Sequence, residues 1–208
     1  MIIRVFNDIH VDGVSPVMTH ERLIQNISES PYPVLLNGDV HDLVNCTKSR
    51  VDFIRQAIKL TRNYVLSKGG WYNSGNHDGL YDKDIMSWVT QDVLSIHGDL
   101  AMWPYAKAMA FRQQTPGAGW FKRNVISRVI DKLRHLLTVR PNKRLKAFIE
   151  KVKAAHPSLR VVIISHSHPS SHVFFTHAGV NGVILMRGMH NVEVKDDYLI
   201  NVKTVIGV

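Results

Sequence analysis

Short apolar runs that stop abruptly at polar residues alternate with amphipathic stretches along the first hundred positions. Ile2-Ile3-Arg4-Val5-Phe6 has strand character and ends at Asn7-Asp8. Between about Thr19 and Ser28, Leu23, Ile24 and Ile27 recur at helical spacing. Pro33-Val34-Leu35-Leu36 ends at Asn37-Gly38-Asp39, and Val51, Ile54, Ile58 and Val65 share a face of a helix predicted from about Ser49 to Leu66. Trp71-Tyr72-Asn73-Ser74 reads as a third strand cut at Gly75-Asn76, and Val93-Leu94-Ser95-Ile96 as a fourth cut at Gly98-Asp99. Strands alternating with helices predict a layered α/β domain.

The pattern changes after a Gly/Pro break at Thr115-Pro116-Gly117-Ala118-Gly119. Trp120 to Val139 has helical periodicity, with Val125, Val129, Leu133 and Leu136-Leu137 as its apolar stripe, and Pro141 interrupts it. A second helix is predicted over Asn142–Ala155. Strand character returns at Val161-Val162-Ile163-Ile164, at Val173-Phe174-Phe175, at Gly182-Val183-Ile184-Leu185-Met186 and in two short pieces up to Val208. One domain over residues 1–208 is expected, carrying a helical insertion at about 100–157. No internal repeat or low-complexity tract interrupts it.

Composition narrows the setting. With 45% hydrophobic residues in 208, the chain can bury a sizeable core, and its single cysteine, Cys46, excludes an internal disulfide framework and a Cys-rich zinc module. No apolar run approaches the ~18–20 residues of a membrane span, and the start MIIRVFNDIH has no signal-peptide pattern. A cytoplasmic location is expected, with a peripheral place at the inner face of a membrane as its variant.

The net charge of +9 is unevenly spread. The segment from Tyr105 to Ala155 holds 13 of the 26 Lys and Arg but only Asp131 and Glu150 of the 17 acids. Such asymmetry predicts an anionic partner: a phosphorylated substrate, an anionic membrane surface or a nucleic acid. Trp103, Met109, Phe111, Trp120 and Phe121 in or beside this segment suit an interfacial helix, and suit stacking on bases equally.

The predicted strands end in chemistry. Asp8-Ile9-His10 follows the first, Gly38-Asp39-Val40-His41-Asp42 the second, Gly75-Asn76-His77-Asp78 the third, His97-Gly98-Asp99 the fourth, and His166-Ser167-His168 the strand after the insertion. Ligands bind beyond the carboxyl ends of strands in open α/β sheets. Each residue alone is an ordinary turn or core residue. Together Asp8, His10, Asp39, Asn76, His97, His166 and His168 form a set of seven oxygen and imidazole donors without a thiolate. That mixture suits manganese first, with iron, zinc or nickel as alternatives. Seven donors exceed what one ion with an open position needs, and fit two ions sharing a carboxylate. Such a pair clamps the oxygens of an in-line displacement at phosphorus and makes hydroxide available near pH 7.

The blocks D-x-H, G-D-x-x-D, G-N-H-D, a lone His and a closing H-x-H resemble the signature of calcineurin-like metallophosphoesterases. The resemblance implies a four-layer αββα metallophosphoesterase sandwich with two metals at its edge. It implies Asp8, His10, Asp39 and His168 on one metal and Asp39, Asn76, His97 and His166 on the other, with Asp39 bridging. His77 would contact the scissile phosphate beside Asn76 and protonate the leaving oxygen. The activity implied is hydrolysis of a phosphate ester or pyrophosphate by a metal-bridging hydroxide, with Asp39 and His77 catalytic. A helical insertion after His97-Gly98-Asp99 looks like the UDP-2,3-diacylglucosamine pyrophosphatase branch, which carries Arg where this chain has His77, and Ser165 stands where the family prefers Gly. A nuclease or nucleotide phosphodiesterase using the basic helices is the alternative, and a metal-free binding module a third reading.

Other residues have lesser expected roles. His41 and Asp42 are expected beside the metals, and Asp78 is expected to orient His77 or cap a turn. His172, His177 and His190 are candidates to line the cleft, while His135 and His156 are expected on the surface.

Overall fold

The computed structural model describes residues 1–11, 16–78, 85–113 and 140–207. Among the described residues, ten strands lie in two five-stranded sheets. The first sheet has the order β10 (Ile200–Gly207), β9 (Gly188–Val194), β1 (Ile2–Asn7), β2 (Val34–Asn37), β3 (Trp71–Asn73). The second has the order β4 (Met86–Trp88), β5 (Val93–Ile96), β6 (Val161–Ile164), β8 (Val180–Ile184), β7 (Val173–His177). Within the first, β1, β2 and β3 are parallel; within the second, β5, β6 and β8 are. Antiparallel strands flank the second parallel centre on both sides and the first on one, where parallel β3 forms the other edge.

Side-chain alternation sorts the core into three apolar layers. Ile3, Val5 and Leu35 meet Val161, Ile163 and Val183 between the sheets. The opposite faces of those strands carry Phe6, Leu36 and Tyr72 on one sheet and Val162, Ile164 and Ile184 on the other. Phe6 and its neighbours pack on α1 (His20–Ser28) through Leu23 and Ile27, and on α2 (Val51–Ser67) through Ile54, Ile58 and Val65. Val162 and its neighbours pack on α3 (Asp99–Met102) and on α5 (Lys143–Ala155), through Ala101, Met102, Leu145 and Ile149. The result is a mixed α/β architecture with helices outside both sheets. β6, Val-Val-Ile-Ile, is buried at every position because it faces an apolar layer on each side.

Thr19 caps α1 by accepting from the Arg22 N–H, and Asn142 caps α5 by accepting from the Leu145 N–H at 2.9 Å. Between α3 and α5 runs α4 (Tyr105–Arg112). The ends of the 100–157 segment therefore serve as the outer layer of the second sheet, while the helix predicted over Trp120–Val139 lies outside the described residues.

Two strand expectations need correction, and a third strand was not expected. The two pieces read as short after Met186 are β9 and β10, of 7 and 8 residues, the longest strands described. Their alternation is masked by His190 on a buried position and by the exposed edge of β10. β8 starts at Val180 and stops at Ile184, so Leu185 and Met186 belong to the loop beyond it. β4, three residues on a sheet edge, is too short to leave a periodic signal.

Candidate metal centre

The parallel strands of both sheets deliver their C-terminal ends to one edge, and the seven sequence-predicted donors follow those ends. Five of them, Asp8, His10, Asp39, His166 and His168, have φ between 44° and 76°. Only two other non-glycine residues among those described, Ala178 and Tyr198, share that region. Left-handed backbone costs a non-glycine residue roughly 1–3 kcal/mol. Strain concentrated in one cluster marks it as a place where side-chain direction outweighs backbone comfort.

Glycine makes the approach possible at two points. A methyl at Gly75 would overlap the Asp39 carboxylate, and one at Gly38, itself at φ +81°, would overlap the His97 ring. Both side chains lie directly against main chain.

Around His97 the hydrogen bonds fix the tautomer. Its Nδ1 is 3.1 Å from the Asn37 carbonyl oxygen, which only accepts, so Nδ1–H donates. The Ser165 hydroxyl donates to the same carbonyl at 2.6 Å and lies 3.1 Å from Nδ1. The other ring nitrogen, Nε2, is then turned to Asp39 Oδ2, Asn76 Oδ1 and His166 Nδ1, each 3.2 Å away. Carboxylate and amide oxygens have no hydrogen to give, so this knot of acceptors needs a proton or a cation at its centre. Burial pushes the His97 ring down, but the Asp39 carboxylate overrides it and lifts the pKa to about 10. Burial, joined by the His97 charge, holds His166 down at about 3.

The second donor set lies on the other side of Asp39. Asp8, His10 and His168 bring ligand atoms within 4.8 Å of one another, as do Asp39, His97 and His166, and as do His10, Asp39 and His77. Asp8 Oδ2 accepts from Asn7 Nδ2 at 2.9 Å and from the His166 N–H at 3.1 Å, which leaves Oδ1 for His168 Nε2 at 2.8 Å. Burial raises the Asp8 carboxyl, yet the His168 imidazole outweighs it and holds the group well below the usual carboxylate range. Burial lowers His10, whose Nδ1 lies 3.5 Å from Asp42 Oδ2. Asp39 accepts from the His77 N–H at 2.7 Å and belongs to two of these groups, so it stands between the sets.

His77 sits at the mouth, its side chain 17% exposed. Its Nδ1 pairs with Asp42 Oδ1 at 2.9 Å, and the His77 and His10 rings meet at 4.7 Å. Burial lowers His77, but the Asp42 and Asp39 carboxylates outweigh it and raise the pKa to about 9. Asp42 is therefore the orienting carboxylate of His77, while its other oxygen faces His10 without a hydrogen bond. Asp78 accepts instead from the Gly75 and His41 N–H groups at 2.9 Å and caps their turns. The His41 ring is buried with neither nitrogen hydrogen-bonded.

The remaining histidines separate. His190 is buried with Nε2 donating to the Met186 carbonyl at 2.9 Å, and His172 meets its ring edge-on at 4.8 Å. His177 pairs with Glu150 at 2.7 Å, away from the donors. His156 is exposed beside Trp88, and His135 lies outside the described residues.

Sequence reasoning missed the floor and one wall. Asn7, Asn37 and Asn73 end β1, β2 and β3, and Asn37 Oδ1 accepts from Asn73 Nδ2 at 2.7 Å and Ser95 Oγ at 2.8 Å. A repeated Asn at the last strand position was the available signal. The wall comes from α4 and the end of α3: Phe111 lies 5.4 Å from the His77 ring and 5.9 Å from Trp103, and Trp103 lies 4.4 Å from His166. Arg112, counted in sequence with the basic segment, is buried in a two-bond fork on Asp99 at 2.7 and 2.8 Å.

No protein-family model matches the chain, and no curated protein matches it either. Among solved structures, it is similar to a predicted phosphoesterase from Streptococcus pneumoniae TIGR4, at 12% identity over 100% of this chain and 91% of that one, with a TM-score of 0.49. A dimetal phosphatase from Danio rerio aligns at 12% identity over 98% of both chains, with a TM-score of 0.48. A protein serine/threonine phosphatase from Saccharomyces cerevisiae aligns at 14% over 100% of this chain and 80% of that one, with a TM-score of 0.49. These are similarities of chain path and say nothing of what this chain binds.

Proposed function

We propose that this edge holds two divalent cations and hydrolyses phosphate esters. The observation that carries the reading is the knot of acceptors around His97 Nε2, continued across Asp39 by Asp8, His10 and His168. Asp39 would be shared, with Asn76, His97 and His166 on one side and Asp8, His10 and His168 on the other. Two such cations, when bound, supply a nucleophile at neutral pH and neutralise charge on a phosphate. A donor set of imidazole, amide and carboxylate favours manganese, with iron, zinc and nickel behind it.

The chain's own residues do the rest. Asp42 holds His77 Nδ1–H, so the proton on Nε2 is the one available to the leaving oxygen. Asn37 and Ser165 hold the His97 tautomer that presents Nε2. Gly38 and Gly75 let Asp39 and His97 approach main chain closely. His77 in place of Arg speaks against the lipid-precursor pyrophosphate. The exposed Lys143, Arg144, Lys146 and Lys151 of α5 offer a surface for an anionic partner. Among the described residues, no helix is long and apolar enough to cross a membrane.

The test is Asp39→Ala, with manganese-loaded protein and a generic phosphodiester and monoester as substrates. Turnover should fall below detection while far-ultraviolet circular dichroism stays unchanged. Near-wild-type turnover in a folded variant would refute the assignment.

A further inference from the structure

Outside the donor cluster itself, one group of side chains lies against it. Trp103 is the extended residue on which α3 ends, and Lys107 and Phe111, four residues apart in α4, share one face of that helix. The two rings touch each other and the two exposed-edge histidines of the centre: Phe111 meets His77 at 5.4 Å, and Trp103 meets His166 at 4.4 Å. Both rings are half-buried, and the exposed Lys107 ammonium rides 4.5 Å from the Trp103 ring centroid. The half-buried indole thus presents a face to a solvated cation. Arg112 pins the next position of the helix to Asp99 and Ser74, which holds the wall in place.

We infer that Trp103 and Phe111 form a subsite for a planar ring carried by the alcohol part of the ester, with Lys107 serving its anionic oxygens once the ring has displaced it from the indole. The inference rests on the phosphoesterase reading and narrows its substrate to nucleobase-bearing phosphates. Flat rings flanking a cation match a base and its phosphate; an acyl chain would call for branched aliphatic side chains and no charge. Phe111 touches His77, so the ring lies on the side where the leaving oxygen is protonated.

The test compares adenosine 5′-monophosphate with ribose 5-phosphate, which leave the same primary alkoxide and differ only in the base. In the manganese-loaded protein, the nucleotide should bind about tenfold or more tightly than the sugar phosphate, as one stacked base provides, and quench tryptophan fluorescence. Trp103→Leu and Phe111→Leu should each bring the two affinities within about threefold and leave ribose 5-phosphate binding unchanged, while Trp103→Phe should keep most of the preference. Equal affinities in the wild type, an unchanged preference in both leucine variants, or tighter binding of octyl phosphate than of the nucleotide would overturn the subsite. Hydrolysis of both compounds without base preference would overturn it and leave the phosphoesterase reading standing. Base-selective binding with no turnover would sustain the subsite and overturn that reading.

Discussion

Arg112→Ala tests how the wall and the centre are joined. The guanidinium donates to Asp99 at 2.7 and 2.8 Å, to Ser74 Oγ at 3.0 Å and to the Ser74 carbonyl at 3.0 Å, with Arg112 4% and Asp99 0% exposed. Burial disfavours the arginine charge, but the fork on Asp99 more than restores it and raises its pKa. Removing the arginine leaves the Asp99 carboxylate buried without its cation, a change that costs about 3–5 kcal/mol. Against a total stability of roughly 5–15 kcal/mol, the urea midpoint should drop sharply. Arg112→Lys keeps the charge but not the fork, so roughly half of that loss is expected. Equilibrium urea unfolding followed by circular dichroism measures both. Asp99 lies two residues past His97 and Ser74 two before Asn76, so manganese affinity should fall in parallel. A loss below about 1 kcal/mol in Arg112→Ala would refute the claim that this ion pair fastens α4 to the strand ends.

Two further changes probe the centre and the core beside it. Gly75→Ala places a methyl against both the carboxylate and the backbone nitrogen of Asp39, so manganese binding by calorimetry should be lost, and wild-type affinity would contradict the geometry. Burial, with His172 alongside, holds the His190 pKa down at about 4, below the ordinary value of 6.5. The unfolded chain therefore binds the extra proton first, and His190 stabilises the metal-free protein fully above pH 6.5 and loses that contribution as pH falls from 6.5 toward 4. Between pH 7 and pH 5 about 2 kcal/mol should disappear, and His190→Gln should flatten that dependence in urea titrations; an unchanged slope would contradict it.

How far the sequence carried can be argued residue by residue. The strands leading into the site were legible because each is a short apolar run stopped by a polar pair, and β6 announces burial on both faces by being wholly β-branched. The seven donors were legible because each stands just past a strand end. Their division into two groups about Asp39 was implied only by the family resemblance, because the spatial register of the strands that sets it is encoded in no local pattern. Asp78, expected to orient His77 or cap a turn, caps the turn and Asp42 orients the ring, because only the turn between Gly75 and His77 decides which carboxylate faces it. Arg112 read as one more solvated cation because the residue that buries it lies on a different helix. The asparagine floor escaped for the same reason: Asn37 and Asn73 meet only once β2 and β3 are paired.

The claim beneath all of this is that Asp39 stands between two cations. Electron paramagnetic resonance of the manganese-loaded protein reads it directly, alongside the manganese content per chain. Two ions about 3.5–4 Å apart should give the multiline signal of a coupled pair, and Asp39→Ala should abolish it. A spectrum of isolated manganese at one ion per chain under saturating metal, or a coupled signal that survives the loss of Asp39, would contradict the account.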